Sequence, residues 1–344
     1  MNVKLAGVQY LRAIAAIAVV IDHAVAMAEF DKYFGERVPF FDFLVKGGLG
    51  VYLFFVISGF IIVVSSLERR TLRPKKGVLE FCKARVIRIV PMMWLAIVSY
   101  ALMRWLGRSG AYDVGPYLNA MFLLPIGDYD PNNIWTLRQE IIFYVIFAIS
   151  FLAGWRWGKA VFFIWVAISF VVLVGYVVPT YEIVSNVFYF GNVLFFVGVT
   201  VGLVYQRWGA DFSFLQSNST CVSFPALLLM FIVTMGLAEL LGFGLDRAGV
   251  WYGLLIYSLL VFGGAVFVAG GDRFLLLLGE ASYSIYLFHP HIESAMLGVL
   301  SKIFNADYLV PCLIFIVIVT MLISCGIYKY VERPLTRMLI RKFA

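Results

Sequence analysis

The sequence predicts an all-α polytopic membrane protein, a bundle of about ten transmembrane helices enclosing an intramembrane cavity. Three observations carry that expectation. Of 344 residues, 62% are hydrophobic and only 14% are charged. Apolar runs of about 20 residues, each long enough to cross about 30 Å of hydrocarbon, recur along the whole length. Between them lies nothing with the makeup of a soluble domain, so 1–344 reads as one membrane domain with short loops.

The runs fall near 7–28, 44–66, 86–106, 134–153, 158–178, 183–205, 221–242, 249–269, 274–299 and 309–330. The first reads as a span and not a cleavable signal, because it holds Arg12 and lacks a clear small-residue cleavage site. The longest polar stretch, 107–133, is punctuated by glycine and proline. Its Tyr117–Leu124 run is too short to span and is expected to lie re-entrant or interfacial.

A net charge of +7 sets the expected topology through its distribution. Arg69, Arg70, Arg73, Lys75, Lys76, Lys83, Arg85 and Arg88 crowd one segment, and Lys329, Arg333, Arg337, Arg341 and Lys342 crowd the C-terminus. Positive-inside counting puts both termini and the 67–85 loop in the cytoplasm, as an even number of spans requires. Charges that flank spans are orientation signals or anionic-lipid contacts, so no nucleic-acid partner is expected. Cys82, Cys221, Cys312 and Cys325 have no CxxC or Cys/His metal spacing and read as free structural thiols.

Ionisable residues inside the spans are the candidates for chemistry, because hydrocarbon makes them costly. Arg12 and His23 share one face of the first span, three turns or roughly 16 Å apart. His23 lies about 9 Å outward from the middle of that span. Glu140, five residues after the interface-type Trp135, falls in the same outer-half layer, and His289 near it in span nine. Asp22 adjoins His23 but points about 100° away round the helix, so Glu140 is the better partner for it. Arg85 and Arg88 stand one turn apart at the cytoplasmic entrance of span three.

Plainer readings stand beside these. His23 could bond a neighbouring helix, and Glu140 could be the counter-ion of Arg12 or Arg138. His289 and His291 could satisfy the carbonyl freed by Pro290. Arg85 and Arg88 could be topology signals only. The Gly47–Gly48–Leu49–Gly50 cluster could be a turn, or a place where backbone approaches a ligand.

Several segments together resemble the acyltransferase-3 family of membrane-bound acyltransferases. Tyr10–Leu11–Arg12–Ala13–Ile14–Ala15–Ala16 followed by His23 is similar to its Arg-x10-His first helix. Gly48–Leu49–Gly50–Val51 through Phe54–Phe55–Val56–Ile57–Ser58–Gly59–Phe60 resembles its second helix. Arg85–Val86–Ile87–Arg88–Ile89–Val90–Pro91 is similar to its RxxRIxP segment, and Trp135–Thr136–Leu137–Arg138–Gln139–Glu140 to its W-S/T-L-x-x-E element. Ser282–Tyr283–Ser284–Ile285–Tyr286–Leu287–Phe288–His289 and Glu332–Arg333–Pro334 resemble its late helix and its end. The motifs run in family order from 7 to 334. One departure is that Ile141 follows Glu140 where many members carry a second acid. Members with an added extracytoplasmic hydrolase-like domain are longer, and the closest likeness is to short bacterial members that O-acetylate exopolysaccharide or related glycans.

The resemblance implies transfer of an acyl group, most often acetyl from acetyl-CoA, to a carbohydrate hydroxyl, in a bacterial inner membrane and without a metal. Arg85, Arg88 and Lys75 or Lys76 would receive the CoA phosphates, with Arg12 and Ser58 along the donor's path. His23 would be the general base, oriented by Glu140 or Asp22, or else a nucleophile forming acetyl-histidine. Trp135, Tyr144, Tyr286 and His289 would contact the acceptor, a lipid-linked or exopolysaccharide glycan. Two other classes stay open: a flippase using buried His and Glu as a proton relay, and a structural partner of a polysaccharide assembly.

Overall fold

The computed structural model describes residues 5–36, 38, 48–107, 113–154, 156–208, 224–243, 245–268 and 272–343. Among them there is no strand, and the one isolated bridge joins Leu67 to Pro74. In hydrocarbon a helix meets its own backbone hydrogen bonds, which is why apolar runs of this length fold as helices.

The helices are α1 (Ala6–Ala28), α2 (Leu49–Ser66), α3 (Val78–Leu106), α4 (Gly115–Phe122), α5 (Trp135–Phe147), α6 (Gly158–Leu173) and α7 (Glu182–Val187). They continue as α8 (Asn192–Trp208), α9 (Phe224–Leu240), α10 (Arg247–Phe267), α11 (Arg273–Ile303), α12 (Leu309–Ile327) and α13 (Arg333–Phe343). Seven segments are long and apolar enough to cross a membrane: Ala6–Ala28, Leu49–Ser66, Val78–Leu106, Asn132–Leu152, Glu182–Trp208, Arg247–Val266 and Ala306–Phe343. Gly158–Leu173 and Phe224–Leu240 are shorter apolar helices.

The chain divides into two compact units, Met1–Phe54 with Phe212–Pro334 and Phe55–Asp211 with Leu335–Ala344. In the first, α1 is the central element and packs on α9, α10, α11 and α12. It can do so because it is built from small residues. Ala13, Ala15, Ala16, Ala24 and Ala28 are all buried, and small side chains let helix backbones approach where lipid offers no hydrophobic drive. Gly279 of α11 and Gly7 of α1 mark tight crossings: a Cβ on Gly279 would lie 2.2 Å from the carbonyl oxygen of Gln9, and one on Gly7 2.2 Å from that of Gly264 on α10. Asp246 and Asp272 cap α10 and α11, each carboxylate accepting from backbone N–H groups of the first turn.

In the second unit α5 packs on α6, α7 and α8, and α3 on α4. A ring stack of Phe55, Phe195 and Phe143 fills its middle, with centroids 4.5 Å apart at each step. The Gly- and Pro-rich stretch holds α4, and Tyr117 and Ala120 of that helix are buried. The turn after it is pinned by Arg104 to Asp130 at 2.6 Å and by Glu182 accepting from Gly127 N–H at 2.6 Å. Burial raises the Asp130 carboxyl above its ordinary range, against the pull of Arg104.

Two expectations shift in detail. The third apolar run begins at Val78, not near 86, so Arg85 and Arg88 lie inside α3, two and three turns from its start. The run near 183–205 is broken between α7 and α8, where Tyr189 and Gly191 interrupt the helix. Cys82, Cys312 and Cys325 are free thiols; Cys221 and Gly47 lie outside the described residues.

Candidate active site

In the first unit, α1 and α11 set their ionisable residues against each other. The His23 and His289 rings meet edge to face with centroids 4.8 Å apart. His289 is fully buried, and its Nδ1 sits 3.2 Å from the carbonyl oxygen of Ile285. That carbonyl can only accept, so Nδ1 carries the hydrogen and Nε2 presents a bare lone pair. Nε2 is buried without a hydrogen-bond partner. Pro290 lies inside this helix and has no amide hydrogen, so the carbonyl it leaves without a helical donor is that of Tyr286 and not that of Ile285.

Tyr286 packs against the His289 ring at 5.8 Å and meets Phe54 edge-on at 6.1 Å. About two turns before His289 on α11, Ser282 accepts from an Arg12 Nη at 2.8 Å. The shared helix face of Arg12 and His23 is thus the face that α11 covers. Asp22 lies against the Gly48 backbone, where a Cβ would stand 3.3 Å from its Oδ2. Within the glycine cluster, the Gly48 backbone thus approaches a carboxylate of the chain itself.

Sequence reasoning passes over one more group in this layer. Glu293 is fully buried, and neither carboxylate oxygen has a hydrogen-bond partner. Its signal was the spacing from His289, four residues along one face of an apolar helix.

The second unit holds a different constellation. Glu140 accepts from Ser58 at 2.9 Å and from the Tyr144 hydroxyl. The Arg85 guanidinium lies 5.4 Å from the centroids of both Tyr144 and Phe81, and donates to Ser65 at 2.9 Å. Its Nε is buried and unpartnered. Arg88 is exposed on the same helix. Trp135 meets Phe55 and Tyr189 edge-on, at 6.2 and 5.8 Å. Arg138 lies over the Tyr129 ring at 4.8 Å.

The basic loop before α3 is a built hairpin. Gln206 donates to the Leu67 carbonyl at 2.7 Å, Arg207 to that of Arg70 at 2.8 Å, and Lys75 to that of Val64 at 2.7 Å. Desolvation lowers the Lys75 ammonium from its ordinary pKa, opposed by Glu68.

The structure thus brings together Arg12, Asp22, His23, Tyr286 and His289 in one unit, and Ser58, Arg85, Trp135, Glu140 and Tyr144 in the other, with Glu140 engaged by Ser58 and Tyr144. No group of three or more His, Cys, Asp or Glu residues able to hold a metal occurs among the described residues.

Helices without strands among the described residues, seven segments of them long and apolar enough to cross a membrane, with Arg12, His23 and His289 inside two of the helices, define a polytopic membrane protein with buried polar chemistry. The particular family follows from comparison. Residues 5–329, which run through both units, match the acyltransferase-3 family, described as an acyltransferase domain. The chain belongs to that family. It is similar to "Exopolysaccharide production protein ExoZ" of Rhizobium meliloti (strain 1021), 32% identical over 85% of this chain and 90% of the relative. It is also similar to an "O-acetyl transferase" of Shigella phage Sf6, 22% identical over 84% of this chain and 85% of that one. No solved structure matches.

Proposed function

We propose that the protein is a membrane O-acetyltransferase that moves an acetyl group from acetyl-CoA to a hydroxyl of an exopolysaccharide or lipid-linked glycan. The observation that carries this is the His23–His289 pair on α1 and α11, inside a chain matching an acyltransferase family over 5–329. The glycan acceptor and the acetyl group extend what the two relatives are named for.

In this reading the seven apolar segments, the two shorter helices and α11 make ten spans of a bacterial inner membrane protein, termini inside. His23 takes the acceptor hydroxyl's proton, the oxygen attacks the thioester carbon, and the proton passes on to the leaving thiolate. Tyr286 and His289 back the base, and Arg12, held by Ser282, keeps a positive charge on the same helix face. Glu140 orders Ser58 and Tyr144 beside Arg85. The unpartnered Nε of Arg85, with Arg88 and Lys75 or Lys76 nearby in sequence, suits the CoA phosphates. Trp135 contributes an aromatic face for a sugar. The direct test is to incubate purified protein with labelled acetyl-CoA and candidate glycans; absence of label from every glycan, with the donor left intact, would overturn the reading.

Two further outcomes are expected. Arg85→Ala should raise the KM for acetyl-CoA by about tenfold or more, the effect of losing one charge-assisted hydrogen bond, with kcat little changed. An unchanged KM together with inverted insertion would reduce Arg85 to an orientation signal. Acetylation of the glycan should occur on the extracytoplasmic side. With the native cysteines replaced, single cysteines at the exposed positions Glu29 and Asn132 should react with an impermeant thiol reagent added to intact cells. Labelling only after lysis would reverse the orientation.

A further inference from the structure

Arg138 is an enclosed cation without a carboxylate. It is 9% exposed, its Nε makes no hydrogen bond, and among the described residues it forms no ion pair. Its guanidinium lies against the Tyr129 phenol, 4.8 Å from the ring centroid. The Tyr129 hydroxyl itself donates to the Leu124 carbonyl. A guanidinium cannot shed its proton, and a ring face offsets only part of the cost of enclosing one. The carboxylates near it in sequence or in the fold are engaged elsewhere. Glu140, the counter-ion that the sequence offers, accepts from Ser58 and Tyr144. Asp130 holds Arg104, and Glu182 accepts from Gly127 N–H, each at 2.6 Å. Asp128 is exposed.

Arg138 has company on its own helix. Trp135, Arg138 and Gln139 stand at i, i+3 and i+4 of α5 and share one face. Gln139 is 1% exposed, and its Oε1 has no donor. Trp135 is partly exposed, with Phe55 and Tyr189 edge-on to it. Buried polar groups are nearly always partnered, so two unmet ones on one face call for one explanation. Apolar side chains would fill the same space at less cost. An aromatic ring, an amide and a guanidinium side by side suit a sugar ring, its hydroxyls and an acid attached to it.

We propose that this face of α5 is an acceptor subsite for an acidic glycan: Arg138 pairs with a carboxylate or phosphate of the acceptor, Gln139 bonds a neighbouring hydroxyl, and Trp135 packs on the sugar ring. This rests on the acetyltransferase reading above and narrows its acceptor to a negatively charged one. The guanidinium fork fits an acid carried on the sugar and the diphosphate of a lipid anchor alike, and the test separates the two.

The test reads the melting temperature of the full chain in detergent, because a ligand that binds the folded protein raises it. The probes are two pairs: an oligoglucuronate with the neutral cello-oligosaccharide of equal length, and farnesyl diphosphate with farnesol. Oligoglucuronate should stabilise the wild-type protein at a concentration at least about ten times lower than its neutral counterpart does. A response to farnesyl diphosphate in its place would put the acid on the lipid anchor. Arg138→Met keeps the bulk and removes the charge, so it should melt no lower than wild type and lose the response. Arg138→Lys keeps the charge without the fork and should respond about tenfold more weakly. In acetyl transfer, Arg138→Met should raise the KM for an acidic acceptor by about tenfold or more. No preference for the charged member of either pair, or an undiminished response in Arg138→Met, would overturn the proposal. A lowered melting temperature in that variant with binding intact would make Arg138 a pin for Tyr129. If the wild-type protein acetylates no glycan, the functional reading fails, and the melting series still decides whether this face of α5 binds an acid.

Discussion

His23→Ala is expected to lower acetyl transfer by about 10²–10⁴-fold, the range that a positioned general base contributes. The loss should fall on kcat and leave donor binding nearly unchanged, because proton abstraction is an interaction of the transition state. Stability should change little. His23 is only partly buried, and its packing on His289 is an aromatic edge contact worth about 0.5–1.5 kcal/mol. A variant retaining near wild-type turnover would remove His23 from the mechanism. The same experiment separates base from nucleophile. If His23 carries the acetyl group, wild-type protein quenched after mixing with labelled acetyl-CoA, without acceptor, yields a labelled peptide containing His23, and His23→Ala does not.

The largest effect on folding is expected where α2 crosses α8 in the second unit. A Cβ on Gly59 would lie 2.3 Å from the Phe195 carbonyl oxygen and 2.9 Å from the Val199 nitrogen. A Cβ on Gly198 would lie 2.1 Å from the Val56 carbonyl oxygen. Both obstacles are backbone, so neither can rotate aside, and relief requires the helices to separate. Gly59→Val or Gly198→Val should therefore cost about 3 kcal/mol or more and lower the yield of folded protein. Gly236→Ala and Gly326→Ala provide the contrast. Each is helical, and nothing stands within 4 Å of the added carbon, so these should be neutral or stabilise by up to about 1 kcal/mol through helix propensity. Melting curves in detergent check all four. Equal behaviour of the two pairs would mean that the α2–α8 crossing is loose.

Membrane crossing and helical class were legible in the sequence because they depend on run length and composition alone, and a lipid environment leaves an apolar run of this length little alternative to a helix. The pairing of α1 with the late helix was half legible. Arg12 and His23 at three turns' spacing require an interior neighbour, but no spacing rule says that Ser282 and His289 answer them. The end positions of helices were less so. α3 starts at Val78 among charged residues, because a helix emerging from the hydrocarbon tolerates lysine and arginine that a hydropathy window rejects.

The site residues divide the same way. His23, His289 and Glu140 stood out because ionisable groups in apolar runs are costly and therefore rare, and Arg85 because it stands one turn from Arg88 at the entrance of a span. Glu293 did not, because a single acid near a His–Pro–His turn looks like the edge of a span; only its complete enclosure shows otherwise. Nor could sequence assign Glu140 its partners, since Ser58 lies 82 residues away. By itself, then, the sequence determined the helical membrane class, the family and the residue types available for chemistry. The tertiary structure decided which helix faces meet, setting His23 against His289 and Glu140 against Ser58 and Tyr144. Those choices depend on close backbone approach at small residues and on buried polar groups finding partners, and both are properties of helix pairs that no single helix carries.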